Sequence, residues 1–584
     1  MAGDLSVRWH STQDALIWDL EPGDLFAVAR WREAGDDYGL MALHHPGVAS
    51  PEEAFRRAAQ RVTDHFHNPE VNRGLEDILS EFCGWGLVVK DRQGLRVFRD
   101  PIGRLPLVFR RLGRTSADEA DGVVVGTRPA MVLGERRAVR RCRVEGFLRR
   151  ERLDERDDFF QEVQRIRAGE QMIVDRPGAP RFQSYWPGSL PTYSGSKSPS
   201  QAVADTLTAV LKEVGSRGGE LVSLSGGYDS TLLLLLGQEA GLEPRSISMV
   251  APETEHFDER RCIEEVLDAR GIDGEFFDIR GPQRWGEAGV HHPHADLGPA
   301  FMAEAAYFRN FFDAAGEHLE KRGKPPVLIT GLGSDQLFFV SSVTWMEDLL
   351  WEGRRLPAVS TWRARTKRRI KRAVKRLGLS ALPYRLPTRS GPPWLSDSEA
   401  KVMQWHPLYD RRAWMRENAE QFRSWSWEYT VRLLERYRRE VGVVVELPFL
   451  HPEMLRLGLS LPPSVLRQGG KMKAPLRQLL EGRVPQSFFE DRRVGCFDEV
   501  VWEGLFNHLR PRPQAILAAQ ELGEIISLER PKLFDILGAI RRESDLFKRR
   551  YSHELWRTMA TELWLSEVRK ILDAPPSKTQ QACT

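Results

Sequence analysis

Leu221-Val222-Ser223-Leu224-Ser225-Gly226-Gly227-Tyr228-Asp229-Ser230-Thr231 decides how this 584-residue chain is to be read. A buried-strand pattern runs into a loop with two adjacent glycines, and the apolar start of a helix follows at Leu232. Adjacent glycines let the backbone approach an anion closely. The helix behind them aims unpaired N–H groups and the positive end of its dipole at the same loop. Ser225, Ser230 and Thr231 add hydroxyl donors. Asp229 repels a phosphate unless a divalent cation lies between the two, so the segment predicts a cradle for a metal-bound polyphosphate. The chain has no Gly-x-x-x-x-Gly-Lys-Ser/Thr pattern, which excludes the common lysine-bearing phosphate loop. The competing reading is a plain serine-glycine turn at a strand end.

Outward from this segment the pattern alternates. Residues 201–214 predict an amphipathic helix, 245–250 a second strand, 259–270 a helix and 274–279 a third strand. Such alternation predicts a parallel sheet with helices on both faces and a ligand at the carboxyl ends of its strands. Before residue 190 the chain reads as β-rich. Gly86-Leu87-Val88-Val89 and Leu95-Arg96-Val97-Phe98, split by Asp91-Arg92-Gln93-Gly94, predict a hairpin, and Gly122-Val123-Val124-Val125-Gly126 another strand. Turn residues from Pro187 to Ser200 mark a boundary, placing one domain over 1–195 and a second over 196–584. After residue 400 the chain reads as mostly helical.

Composition narrows the classes. A hydrophobic fraction of 41% is globular, and no apolar run approaches the ~20 residues of a membrane span. The start, Met1-Ala2-Gly3-Asp4-Leu5, lacks the basic-then-apolar pattern of a secretory signal. Cys83, Cys142, Cys262, Cys496 and Cys583 form no Cys-x-x-Cys pair, which argues against a zinc site and a disulfide framework and for a cytoplasmic protein with reduced thiols. A formal charge of only +3 gives no whole-molecule field for nucleic acid.

A second acidic turn completes the site. Val327-Leu328-Ile329-Thr330 is a strand that leads into Gly331-Leu332-Gly333-Ser334-Asp335. If both strands belong to one sheet, Asp229 and Asp335 face each other across a nucleotide and hold Mg²⁺ on its phosphates. Together, Ser225-Gly226-Gly227-Tyr228-Asp229-Ser230 and Thr330-Gly331-Leu332-Gly333-Ser334-Asp335 resemble the synthetase domain of the asparagine synthetase superfamily. Lys473-Ala474-Pro475-Leu476-Arg477 looks like the lysine-bearing helix of that superfamily, and Glu446-Leu447-Pro448-Phe449-Leu450 like its Pro-Phe-Leu segment, with His451 where the family has aspartate. The resemblance implies cleavage of ATP between the α- and β-phosphates and an acyl-adenylate that an amine attacks. It implies a nucleotide site made by Leu224, Ser225, Gly226, Gly227, Asp229, Ser230, Ser248, Met249, Thr330 and Gly331, magnesium on Asp229 and Asp335, and Lys473 as the catalytic residue.

Upstream, Arg99-Asp100-Pro101-Ile102-Gly103-Arg104-Leu105-Pro106-Leu107 resembles the Arg-Asp-x-x-Gly-x-x-Pro-Leu stretch of class II glutamine amidotransferase domains. The implied fold is α/β overall: a β-rich amidotransferase-like (Ntn-type) domain, then a parallel-sheet ATP-pyrophosphatase synthetase domain with a helical extension. Glutaminase chemistry needs a cysteine directly after the initiator methionine, and Ala2 stands there, so the nucleophile is missing. The amine must then arrive with the substrate. Beta-lactam synthetases and lasso peptide cyclases are similar in this respect. At Leu332 asparagine synthetases have glutamate and beta-lactam synthetases tyrosine; leucine transfers no proton, which favours the cyclases.

That resemblance implies a linear core peptide as substrate, with a leader peptidase and a leader-recognition protein as partners. Holding a peptide for ring closure and excluding water predicts a large enclosed pocket between the domains. The basic run Arg363 to Arg376, with Ile370, Val374 and Leu377 at helical spacing, reads as a solvated helix face or a docking face for an acidic partner, a membrane surface or RNA. His291-His292-Pro293-His294 lacks the spacing of a metal site on one helix face. The alternatives that stay open are an ammonia-dependent asparagine synthetase or a beta-lactam synthetase, a non-catalytic peptide-binding scaffold, and an RNA-modifying ATPase.

Overall fold

The computed structural model describes residues 5–10, 15–20, 27–33, 36–44, 51–67, 75, 79, 82–112, 122–134, 138–149, 156–175, 179–187, 191–252, 259–280, 298–299, 305–324, 327–340, 348–349, 387–389, 392–395, 400–402, 418–490, 503–508, 513–540 and 545–573. The basic run at 363–376 and the histidines at 291–294 lie outside them, as does Ala2.

The first module holds β1 (Leu5–His10), β2 (Ala15–Leu20), β3 (Ala27–Glu33), β4 (Asp36–His44), β5 (Phe82–Lys90), β6 (Gly94–Arg99), β7 (Val108–Leu112), β8 (Gly122–Gly126), β9 (Gln164–Arg165), β10 (Glu170–Asp175) and β11 (Arg181–Ser184). The expected hairpin is β5–β6, closed where Asp91 Oδ1 accepts the N–H groups of Gln93 and Gly94 at 2.8 and 3.0 Å. Two antiparallel sheets form, ordered β2-β1-β8-β7-β9 and β11-β10-β6-β5-β4-β3.

Period-two alternation explains their stacking. Val88, Val97, Phe109, Val123, Val125 and Met172 meet between the two sheets. Their neighbours Leu87, Val89 and Phe98 turn the other way, onto Ala54, Ala58 and Val62 of the helix Pro51–His67. Val108 and Val124 turn onto Val144 and Phe147 of the helix Arg141–Arg149 and onto Trp564, Leu565 and Val568 of the helix Asp545–Asp573. The result is helix, sheet, sheet, helix, the layering expected of an Ntn-type module. Burial on both faces is why Val123-Val124-Val125 reads as an unbroken apolar run.

The second module is built on a parallel sheet of β12 (Leu221–Ser223), β13 (Arg245–Val250), β14 (Gly274–Asp278), β15 (Val327–Thr330) and β18 (Val444–Glu446), in the order β14-β13-β12-β15-β18. The antiparallel ribbon β16 (Pro387–Arg389) and β17 (Ala400–Val402) stands apart from it. From β12 the chain steps outward through β13 to β14, then returns to the other side as β15. The connections after β12 and β15 thus diverge, and the crevice between them is the topological switch point where ligands bind in open α/β sheets. Strand β18 is not expected from the sequence, which reads as mostly helical beyond residue 400. Its three residues are all buried, and so short an apolar run shows no period. Among the described residues, no helix is long and apolar enough to cross a membrane.

Candidate functional site

The two acidic turns meet at this switch point. β12 pairs with β15 in register, Ser223 opposite Thr330, so the loops that follow leave the sheet side by side. After β12, Gly227 caps the helix Tyr228–Glu239, whose first turn carries Asp229 and whose Leu232 to Leu236 are all buried. After β15, the Thr330 hydroxyl accepts the Leu332 N–H at 2.9 Å, and Gly333, at φ +94°, starts the helix Ser334–Phe338 with Asp335 in its first turn. At Gly331 the loops touch: a Cβ there would lie 3.0 Å from both Asp229 Cβ and the Ser230 nitrogen. Gly331→Ala is therefore expected to push the turns apart and weaken Mg-ATP binding about 10-fold, the size of a mispositioned support residue at a metal site. Calorimetric titration with Mg-ATP checks this, and unchanged affinity would show that the contact is not limiting.

Both carboxylates converge on one ammonium. Lys473 Nζ is 2.5 Å from Asp229 Oδ2 and 2.7 Å from Asp335 Oδ1. Lys473 precedes the helix Ala474–Leu480 and is held at φ 51°, ψ 42°, the left-handed region, which costs a non-glycine residue about 1 kcal/mol. Leu476, Leu479 and Leu480 bury the helix against the second module's core and so fix the direction in which the lysine leaves it. Burial pulls the Lys473 ammonium down, but the Asp229 and Asp335 carboxylates outweigh it and hold it above the usual lysine value. It is a fixed positive charge at neutral pH.

Around this triad stand the other residues named from the sequence. The Ser225 N–H donates to Ser230 Oγ at 3.1 Å, and the two hydroxyls are also 3.1 Å apart. Buried Leu224 donates its N–H to Ile247 O at 3.0 Å, tying the loop's root to β13. Ser248 is fully buried on β13 beside partly buried Met249. Three buried oxygens, Asp229 Oδ1, Ser248 Oγ and Ser334 Oγ, have no hydrogen-bond partner among the described residues. Buried polar atoms are normally satisfied, so these oxygens point to a polar ligand. Ser334 is an addition to the sequence set; its place in the acidic turn was the available signal.

His451, where the resemblance has aspartate, pairs instead with Glu213, Nε2 to Oε2 at 3.6 Å. It lines a cavity of about 70 Å³ between the modules, with Asp100, Arg104 and Leu450. Among the described residues this is not the large enclosed pocket expected there, because side chains fill the junction. Arg99 donates to the backbone oxygens of Leu105, Ile166 and Gly103 at 2.8, 2.6 and 2.7 Å. Asp100 accepts the N–H groups of Ile102, Arg104 and Leu105 at 3.2, 2.9 and 3.1 Å. The amidotransferase-like motif is thus a self-bonded turn, and it presses on the helix Trp425–Val441 of the second module. There Glu428 is buried among Arg99 (3.4 Å), Arg165 (3.1 Å) and Arg432 (2.5 Å). The sequence shows no sign of the pairing with Arg99 and Arg165, which lie more than 260 residues before Glu428.

No curated protein matches the chain. Among solved structures, the allosteric regulatory enzyme of purine biosynthesis shares 9% identity over 50% of this chain and 77% of its own, with a TM-score of 0.18. The glutamine phosphoribosylpyrophosphate amidotransferase from B. subtilis complexed with ADP and GMP shares 10% over 78% of this chain and 86% of its own, with a TM-score of 0.16. With TM-scores this low neither bears on the fold, which rests on the sheets themselves. The asparagine synthase family matches residues 208–566, more than half of the chain, and spans both acidic turns and Lys473. The second module, where two glycine turns meet at a switch point with their aspartates on one lysine, is an ATP-dependent amide-forming domain, and the chain belongs to the asparagine synthase family.

Proposed function

We propose that this protein closes a macrolactam ring in a ribosomally made peptide, as lasso peptide cyclases do. The acyl group is an Asp or Glu side chain of the linear core peptide, and the nucleophile is that peptide's own N-terminal amine. The observation behind this reading is Leu332: the second acidic turn holds an apolar side chain packed on the core, which moves no proton. In this reading the amine comes with the substrate. A leader peptidase that frees the amine and a leader-recognition protein are the partners this chemistry requires.

The residues divide the work as follows. Ser225, Gly226, Gly227 and Ser230 cradle the pyrophosphate part of ATP, with Leu224, Ser248, Met249, Thr330 and Gly331 completing the nucleotide site. Asp229 and Asp335 suit Mg²⁺, because that ion takes a few carboxylates together with phosphate and water oxygens, and Asp229 keeps one buried oxygen unpartnered. When bound, the ion neutralises phosphate charge. The peptide carboxylate forms a bond to the α-phosphorus as the bond to the pyrophosphate oxygen breaks. The amine then bonds to the acyl carbon, gives up a proton and displaces AMP. Lys473 is placed to offset the negative charge that develops in both steps.

Mass spectrometry decides the matter. With Mg-ATP and linear peptides carrying a free N-terminal amine and an internal acid, the expected result is AMP release coupled to loss of one water from the peptide. AMP release with free aspartate and ammonia, or with small amino acids alone, would replace this reading with a small-molecule synthetase. No nucleotide cleavage under any condition would favour a scaffold.

A further inference from the structure

One side chain of the amidotransferase-like module reaches the strand beside the acidic turn. Arg104 is 3% exposed and leaves a turn whose backbone Asp100 holds rigid. Its Nε lies 3.1 Å from Glu435 Oε1, and its Nη2 donates to Val445 O at 2.6 Å. Val445 belongs to β18 and is paired with Leu328 of β15, the strand that feeds the turn carrying Asp335. A second clamp stands beside it, the Trp427 Nε1–H donating to Ile102 O at 2.8 Å.

From β18 the contact chain runs back to the site. The Leu450 N–H donates to Leu447 O at 2.8 Å and closes the short turn after the strand. The Leu450 side chain fills the space over Gly333, where a Cβ would lie 2.4 Å from its Cδ2. Phe449 meets Phe338 at 5.9 Å between ring centres. Both ends of the helix Ser334–Phe338 are thus pressed against the segment that follows β18, and Asp335 is in that helix. Asp229 rides on the helix Tyr228–Glu239, which is buried in the same core through Leu232 to Leu236 and follows β12. The spacing of the two carboxylates therefore depends on where β18 lies.

We infer that Arg104 is a positioning residue through which the amidotransferase-like module holds the Asp335 turn in register with Asp229. A planar guanidinium makes both bonds at once, one to a carboxylate and one to a carbonyl; lysine keeps the charge but not the fork. This rests on Asp229 and Asp335 being the metal–nucleotide site, and it is independent of the acyl substrate.

The test uses Mn²⁺ as a spectroscopic probe, titrated into the full chain with α,β-methylene-ATP and followed by electron paramagnetic resonance. Arg104→Lys is expected to raise the Mn²⁺ concentration for half-saturation about 10-fold, as loss of a support residue does at metal sites. Binding of the metal-free analogue and the melting temperature are expected to stay close to wild type. Leu450→Val leaves the interface in place and is expected to shift the Mn²⁺ titration in the same direction; it decides the question if Arg104→Lys does not fold. Wild-type Mn²⁺ affinity in the folded variants, with or without a lower melting temperature, overturns the proposal and makes Arg104 a stabilising residue only. Wild-type Mn²⁺ affinity in Asp335→Asn would instead overturn the site reading, and the positioning role with it.

Discussion

Lys473→Ala is expected to cut turnover by about 10²-fold or more while Mg-ATP binding changes far less, because the lysine's charge matters most where negative charge develops. The geometry supports this split. Lys473 bridges Asp229 and Asp335 at 2.5 and 2.7 Å, and its backbone is held in a left-handed conformation that only a strong local demand sustains. Removing the ammonium leaves the two carboxylates facing one another, which favours the divalent cation and protects nucleotide affinity. The sign of the pH effect follows from the raised pKa. The charge is fully present through neutral pH and is lost only as pH rises through the elevated value, so no neutral-range loss of activity traces to this group. Rapid-quench measurement of AMP and pyrophosphate formation checks the prediction. Near-normal turnover in the variant would remove Lys473 from the chemistry.

The largest stability effect is expected at Glu428. Its carboxylate is nearly inaccessible and lies within 3.4 Å of Arg99, Arg165 and Arg432 at once, joining both modules. Burial pushes its pKa up, but the Arg99, Arg432 and Arg165 guanidinium groups outweigh burial and hold it far below the ordinary glutamate value. Glu428→Gln keeps the shape and leaves buried guanidinium groups without their counter-charge, at a cost of about 3–5 kcal/mol. The depressed pKa means that the wild-type advantage is present above the unfolded glutamate pKa of about 4.3 and is lost only as pH falls through the native value. Thermal unfolding followed by circular dichroism should therefore show a melting temperature lower by about 3–4 °C at pH 7. The gap should stay similar at pH 6 and 8. A variant melting within a degree or two of wild type would show that solvent or local rearrangement replaces the carboxylate.

Local rules made the site legible. Ser225 to Ser230 and Gly331 to Asp335 each pair glycines with a strand end and a carboxylate, and the one condition for bringing them together, that both strands share a sheet, is met by the pairing of β12 with β15. Strands β13 and β15 fall where apolar runs and flanking turns put them. What the sequence hid is non-local. Val444 to Glu446 is too short for a period and becomes a strand only because β15 offers an edge. Arg99 and Arg104 stand out in a motif and Arg165 does not, but none of them shows in the sequence that Glu428 and Glu435, more than 260 residues later, are brought against them. The convergence of Asp229 and Asp335 on Lys473 joins three distant segments, and motif reading supplied the residues but not the distances.

The helix Asp545–Asp573 packs Trp564, Leu565 and Val568 on the outer face of the first module's sheet, against Val108, Val124 and Phe159. Protein synthesis runs from one end to the other, so this face is made about 400 residues before the helix that covers it. At about 5–20 residues per second the ribosome needs roughly 20–80 s to cross that gap. Throughout that interval the helix Arg141–Arg149 covers part of this apolar sheet face, and the rest of its native cover does not yet exist. The first module therefore reaches its finished form only after the second has been translated, and in the meantime that face is what a ribosome-associated chaperone would meet.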